Sequence, residues 1–211
     1  NMTGTTGSSV TNSGEITVTA SGSSGFAYGV YMSKGSIVNQ SGGTISATGL
    51  TGAYGVSIDT GTVTNASGAA ITGSGTGVQM TGASTLNNYG VISGAIGVAS
   101  TGGNAIIRNY GGGTITGTAG VALSVAGDNN TVLIQENSTI NGSIEAVGAG
   151  NSLEFNGPGT YPSNITGTWA LMKSGSGTLV LNGTNTYTGG TTVSEGVLQG
   201  DTISLQGNIL N

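Results

Sequence analysis

The residues of this chain that could do acid–base, nucleophilic or metal chemistry are few and dispersed. Eight carboxylates and three cations (Lys34, Arg108 and Lys173) stand in 211 residues, and histidine and cysteine do not occur. A Ser-His-Asp or Cys-His nucleophile cannot be assembled from such a set, and zinc lacks its usual ligands. Glu136, Glu145 and Glu154 form the one regular acidic series. Glycoside hydrolysis needs two carboxylates facing each other across the scissile bond. The spacing of these three is shorter than the structural repeat found below, so they are expected on different faces. Polysaccharide lyases need calcium-binding acids beside a basic residue, and the cations are scattered from position 34 to position 173. Gly127-Asp128-Asn129-Asn130 resembles a calcium turn, but calcium β-rolls repeat their Asp in every turn, so a plain turn is expected. No catalytic, cofactor or metal residue is assigned, and the chain is expected not to be an enzyme.

What could position such residues follows from composition. Glycine supplies 43 residues without a Gly-X-Y period, charged residues only 5%, and proline two. Collagen, highly charged disorder and a proline-rich linker are each a poor fit. A chain of Gly, Thr, Ser and Asn threaded with short Val/Ile/Leu runs suits many short strands and tight turns. The net charge of −5 disfavours nucleic acid and anionic membrane surfaces as partners. The absence of cysteine fits export through an oxidising compartment. The opening NMTGTTGSSV lacks the basic and apolar regions of a signal peptide, and no apolar run is long enough for a membrane helix. The last residues, Ile209-Leu210-Asn211, read as part of a strand. The expectation is a piece of a longer chain, with any membrane anchor outside it.

Internal repetition is the strongest signal. One phrase, apolar-x-Asn followed by Gly and Ile, occurs at Val10-Asn12-Gly14-Ile16, Ile37-Asn39-Gly42-Ile45, Val63-Asn65-Gly68-Ile71, Leu86-Asn88-Gly90-Ile92 and Ile107-Asn109-Gly111-Ile115. A degraded copy reads Ile134-Glu136-Ile140. Between them lies a Gly-Val phrase, at Gly29-Val30, Gly55-Val56, Gly77-Val78, Gly97-Val98 and Gly120-Val121. Three strand signals in each period of 20 to 30 residues mark one turn of a solenoid. The expected fold is all-β: a right-handed, single-stranded parallel β-helix (β-solenoid) of about eight coils, roughly 40 Å long at strand spacing. Alternation predicts two interior ladders, one of Ile16, Ile45, Ile71, Ile92, Ile115 and Ile140, the other of Val30, Val56, Val78, Val98 and Val121. The asparagines share the parity of the apolar residues two places earlier. They are expected inward at strand ends, bonding turn backbone of adjacent coils.

The same parity leaves an outward hydroxyl stripe: Thr17, Thr19, Ser46, Thr48, Thr72, Ser74, Ser93, Thr116 and Thr118, then Asn141 and Ser143, interrupted at Ala95. An uncharged hydroxyl array can pack rod against rod without ionic mismatch; Thr and Ser are also ordinary exposed strand residues. An ice-binding solenoid would need a more regular Thr lattice. Tyr28, Tyr31 and Tyr54 are candidate aromatic contacts for a protein or glycan, with Phe26, Tyr89 and Tyr110 beside them.

From residue 171 the texture changes. Lys173, Gly175, Gly177, Thr178, Leu179, Leu181, Gly183, Asn185, Tyr187, Gly189, Gly190, Thr191, Thr192, Val193, Gly196 and Leu198 resemble the passenger-associated transport repeat of autotransporters. Read as structure, Leu179 and Leu181 make a strand, Asn185 to Gly190 a wide turn, Val193 the start of the next strand and Leu198 the one after. The earlier coils resemble the glycine-rich coils of adhesive passengers. The chain therefore divides into coils with Asn-Gly-Ile and Gly-Val repeats (1–170) and coils carrying the transport repeat (171–211). The resemblance implies type V secretion across the Gram-negative outer membrane through a C-terminal β-barrel translocator, folding outside, and display at the cell surface. It further implies a role in adhesion, self-association or binding of a host-surface protein or glycan. Two alternatives are a stem presenting another domain and, remotely, a polysaccharide-active β-helix enzyme.

Overall fold

The computed structural model describes residues 7–21, 26–50 and 52–211. Among these residues the chain is all strand and turn, wound as a solenoid of about eight turns. Every strand pairing is parallel, each strand lying beside its counterpart one turn later. Parallel pairing needs a long connection between neighbours, and here the other walls of the coil supply it.

The Asn-Gly-Ile repeat sets the register. Ile16, Ile45, Ile71, Ile92, Ile115 and Ile140 are paired in succession, and Ile45 to Ile115 are fully buried. A second wall stacks Val10, Ile37, Val63, Leu86, Ile107, Val132, Leu153 and Leu171. Burial of each large side chain contributes on the order of 1.5–3 kcal/mol, offset by backbone ordering; only stacking lets one coil complete the next one's core. Val18 belongs to a small separate cluster with Ala20, Ala27, Ala47 and Ala53.

Two expectations are corrected. The valine ladder runs Val30, Val56, Val78, Val98 and then Leu123, Ile144 and Ile165, while Val121 pairs with Ile96. The cause is a register shift between Gly117 and Val121. At Gly29, Gly55 and Gly77 a Cβ would fall 2.5–2.7 Å from the carbonyl oxygen of the corresponding glycine one coil on. At Gly97 that neighbour is Ala122. Ala122-Leu123 is thus the true equivalent of the Gly-Val phrase, and a bulge after Gly117 takes up the extra residues. In the degraded copy, Ile134 pairs with Asn109, so Ile134 stands in the asparagine column and Glu136 lies in the exposed turn beyond it.

The isoleucine wall breaks after Ile140. Gly159–Tyr161, Thr178–Leu181 and Val197–Gln199 continue it as a separate three-stranded sheet. Pro158 and Pro162, the chain's two prolines, bracket the first of these strands. Their missing N–H groups keep it short. A cavity of about 360 Å³ opens at the break, between Ile134–Asn141 and Phe155–Pro162. Tyr161 spans it, donating its hydroxyl to the carbonyl of Gly142 at 2.6 Å. Burial drives the phenol's pKa far upward. Within the transport repeat, the expected wide turn from Asn185 to Gly190 contains a short strand, Thr186–Tyr187, and Val193 ends rather than starts the strand Thr191–Val193. Tyr187 is inward and buried, and a strand is how the coil places it there.

Candidate adhesive surface

The asparagine column is structural. Asn12, Asn39, Asn65, Asn88 and Asn109 are buried. The Nδ2 of each of the first four donates to Oδ1 of the next asparagine at 2.7–3.0 Å. Each also donates to the carbonyl two residues past the following coil's turn, as Asn39 does to Ala70. A buried turn carbonyl would otherwise lose its hydration without a partner. A second pair went unpredicted: Asn130 donates to Asn151 Oδ1 at 3.0 Å at the other end of the same wall. The dipeptide Asn129-Asn130 carried that signal, read only as a turn. Asp128 supports this turn by accepting from the Ala149 N–H at 2.7 Å. Among the described residues no group of three or more His, Cys, Asp or Glu could hold a metal ion.

In the transport repeat the asparagine slot passes to Lys173, which pairs with Phe155 and is completely buried. Its ammonium donates to the carbonyls of Ser174, Gly175 and Glu195 at 2.5–3.2 Å. A buried cation is tolerable only when so surrounded by acceptors. Gly196 makes room, since a Cβ there would lie 2.8 Å from Nζ. Asn185 secures the next corner, accepting from Ile165 N–H and donating to the Ser204 carbonyl.

The acidic series is dispersed. Glu145 shares an outward column with Ser124 and Thr166, Glu154 one with Leu133 and Met172, and Glu136 sits in a turn. Glu154 is engaged by the Ser174 hydroxyl. No pair of carboxylates is brought together from this series.

The hydroxyl stripe resolves into one column and a set of turn contacts. Thr17, Ser46, Thr72, Ser93, Thr116 and Asn141 are paired rung by rung on the outside of the isoleucine wall. Thr17 and Ser46 share a hydrogen bond of 3.0 Å, and Asn141 donates to Thr116 at 3.1 Å. Thr19 pairs with Thr48. Ser74 lies past its strand and exchanges hydrogen bonds with the Gly49 backbone. Thr118 bonds back to the Gly94 carbonyl. The second row is therefore spent on corners and does not extend along the rod.

The aromatic residues form two groups. Tyr28 stacks on Tyr54 at 5.3 Å and meets Tyr31 edge-on at 5.6 Å. Tyr31 donates to Asp59 at 2.9 Å, and that hydrogen bond holds its phenol above the usual pKa. Asp59 also accepts from Thr81, so this group is tied into the wall. Farther along, Tyr89 and Tyr110 lie parallel, 4.4 Å apart with 3° between ring planes.

Comparison with known proteins places this geometry. Residues 171–199 match the family described as Passenger-associated-transport-repeat. Over 139 residues the chain is 32% identical to the adhesin BmaC autotransporter of Brucella suis biovar 1 (strain 1330), a match covering 60% of this chain and 4% of that protein. The chain thus spans only a small fraction of the length of the curated relative it matches. No solved structure matches significantly. Lys173, Asn185 and Tyr187, which carried the resemblance in sequence, are each buried in the positions that hold the last coils together. The chain is a β-solenoid whose residues 171–199 match the passenger-associated transport repeat, and it is similar to part of an autotransporter adhesin.

Proposed function

We propose that this stretch of the passenger is adhesive rather than enzymatic, acting by self-association or by binding a host-surface protein or glycan. The observation that carries the reading is the hydroxyl column of Thr17, Ser46, Thr72, Ser93 and Thr116, aligned by the ladder register and holding no charged side chain itself, with Glu15 accepting from Thr17 at its first rung. Two such rods can exchange hydroxyl hydrogen bonds along their length without burying unpaired charge. The resemblance to a protein named as an adhesin supports the same role. The dispersed carboxylates and the lack of histidine and cysteine speak against catalysis. In the full-length chain the partner for export is a C-terminal β-barrel translocator, with the coils of 171–211 forming the transport-repeat unit that follows the adhesive coils of 1–170.

The second reading is a stem that only presents another domain. Cells displaying a passenger without residues 1–170 decide between them. Loss of aggregation and surface attachment supports the adhesive reading; unchanged behaviour makes this part a stem.

A further inference from the structure

We infer that the turn carrying Tyr89 and Tyr110 is a saccharide subsite for an anionic sugar unit, carrying a carboxylate or sulfate and read by Arg108. The inference rests on the adhesive reading and names a ligand class for it.

Equivalent turn positions follow each asparagine of the inner column. Gln40, Ala66, Tyr89 and Tyr110 each donate their backbone N–H to the carbonyl of the asparagine one coil earlier, at 2.7–2.9 Å. Their side chains form an outward column at coil spacing, about 4.8 Å. Tyr89 and Tyr110 fill two successive rungs with parallel rings. Ala66 fills the rung before them with a methyl group, so the face of Tyr89 turned away from Tyr110 has no ring against it. Tyr89 is 38% exposed. A ring placed over Ala66 would stack on Tyr89 one coil spacing away and reach the exposed Gln40 on its other side. The C–H face of a pyranose suits an aromatic face, and its hydroxyls suit the flanking amides.

The charge beside this slot decides the class of sugar. The outward column next to the turn runs Thr64, Asn87, Arg108 and Leu133. Arg108 therefore has a neutral amide on one side and an apolar residue on the other. The nearest carboxylate in the column, Glu154, is two rungs away and bonded by Ser174. Arg108 stands two residues before Tyr110 and pairs with Asn87, two residues before Tyr89, so it lies on the same outward face next to both rings. In a chain of net charge −5 this is a local positive spot set among hydrogen-bonding groups. A guanidinium can take a carboxylate or a sulfate through two parallel hydrogen bonds.

The test is titration of the purified chain with three tetrasaccharides of equal length: a uronate polymer fragment, a sulfated uronate-free one and a neutral one. Binding of either anionic probe at least tenfold tighter than the neutral one is expected, and the preferred probe identifies the acidic group. Arg108→Gln should abolish the preference. Ala66→Tyr, which fills the slot with a further stacked ring and leaves the fold unchanged by circular dichroism, should abolish binding. Equal affinity for all three probes, no binding, or normal binding by the Ala66→Tyr variant overturns the subsite. If the variants lose saccharide binding while cells displaying them still aggregate, the adhesive reading and the subsite separate. If saccharide binding fails in the parent chain while cells still attach, only the subsite falls.

Discussion

Asn109 and Ile134 occupy consecutive rungs of one inward column, and there the chemistry of that corner changes. Up to Asn109 the column is a chain of amides, each accepting from one neighbour and donating to the next. From Ile134 it continues through Phe155 to Lys173. Meanwhile the Asn130–Asn151 pair secures the opposite corner of the same wall. Trp169 takes the rung after Asn151, and its indole N–H is the one buried side-chain donor without a partner among the described residues. The solenoid thus keeps one winding while exchanging amide corners for aromatic and lysine corners as it approaches the transport repeat.

Asn65 sits at the middle of the amide chain, so its loss strands groups on both sides. Asn65→Ala removes the acceptor for Asn39 and the donor for Asn88 and the Val91 carbonyl. Each buried group left unpaired costs about 1–3 kcal/mol, and the cavity adds to that. We expect a loss of about 3 kcal/mol in denaturant unfolding. Asn12→Ala, at the end of the column, should cost about 1 kcal/mol. Equal losses at the two positions would show that the amides act singly rather than as a chain.

Lys173 is the counterpart of that asparagine in the transport repeat, with a longer reach to three carbonyls in two coils. Lys173→Met keeps the volume and removes every donor. Coils in a solenoid depend mainly on their neighbours. Hydrogen exchange should therefore accelerate at least tenfold in residues 171–199, while Ile37, Val63 and Leu86 keep their protection. Uniform loss of protection along the rod would refute this local role.

How much of this was legible follows from which residues repeat strictly. The isoleucine ladder and the asparagine column could be read directly, because in the first coils Asn recurs wherever the turn carbonyls need a donor and a branched apolar residue fills the adjoining wall. The valine ladder was misread at one rung. Gly120-Val121 matches the phrase in letters, but two extra residues after Gly117 shift the register, so Leu123 and not Val121 falls opposite Val98. Lys173 was visible as part of a resemblance, yet nothing in its type announces burial. The second hydroxyl row departs from a straight column for a related reason: Ser74 lies past the end of its strand and bonds the Gly49 backbone, and Thr118 stands at the register shift after Gly117 and bonds the Gly94 carbonyl. The Tyr89–Tyr110 stack needs the register of the turns, which strand periodicity does not supply.

Ile71 is fully buried at the centre of the isoleucine wall, between Ile45 and Ile92. Ile71→Asp places a carboxylate in a column with no donor beside it, a cost of about 4 kcal/mol or more. The expected result is a lower thermal midpoint with loss of strand signal over several coils, since each rung completes its neighbours' packing. Ile71→Val, which keeps the wall apolar, should cost only about 1 kcal/mol. An unchanged melting curve for the aspartate variant would mean that this wall does not face the interior.

The hydroxyl column makes a prediction that separates surface from core. Thr17 and Thr116 point outward at opposite ends of the column, and neither packs into the interior ladder. Thr17→Lys combined with Thr116→Lys should leave the melting curve within about 0.5 kcal/mol of the parent, as surface substitutions do. Two rods brought face to face would then align like charges along a dehydrated contact, which is costly unless they are paired. Light scattering of the purified double variant, and settling of cells displaying it, should show suppressed association that high salt partly restores. Undiminished association with the fold intact would remove this column from the adhesive surface and leave the tyrosine turn as its remaining contact.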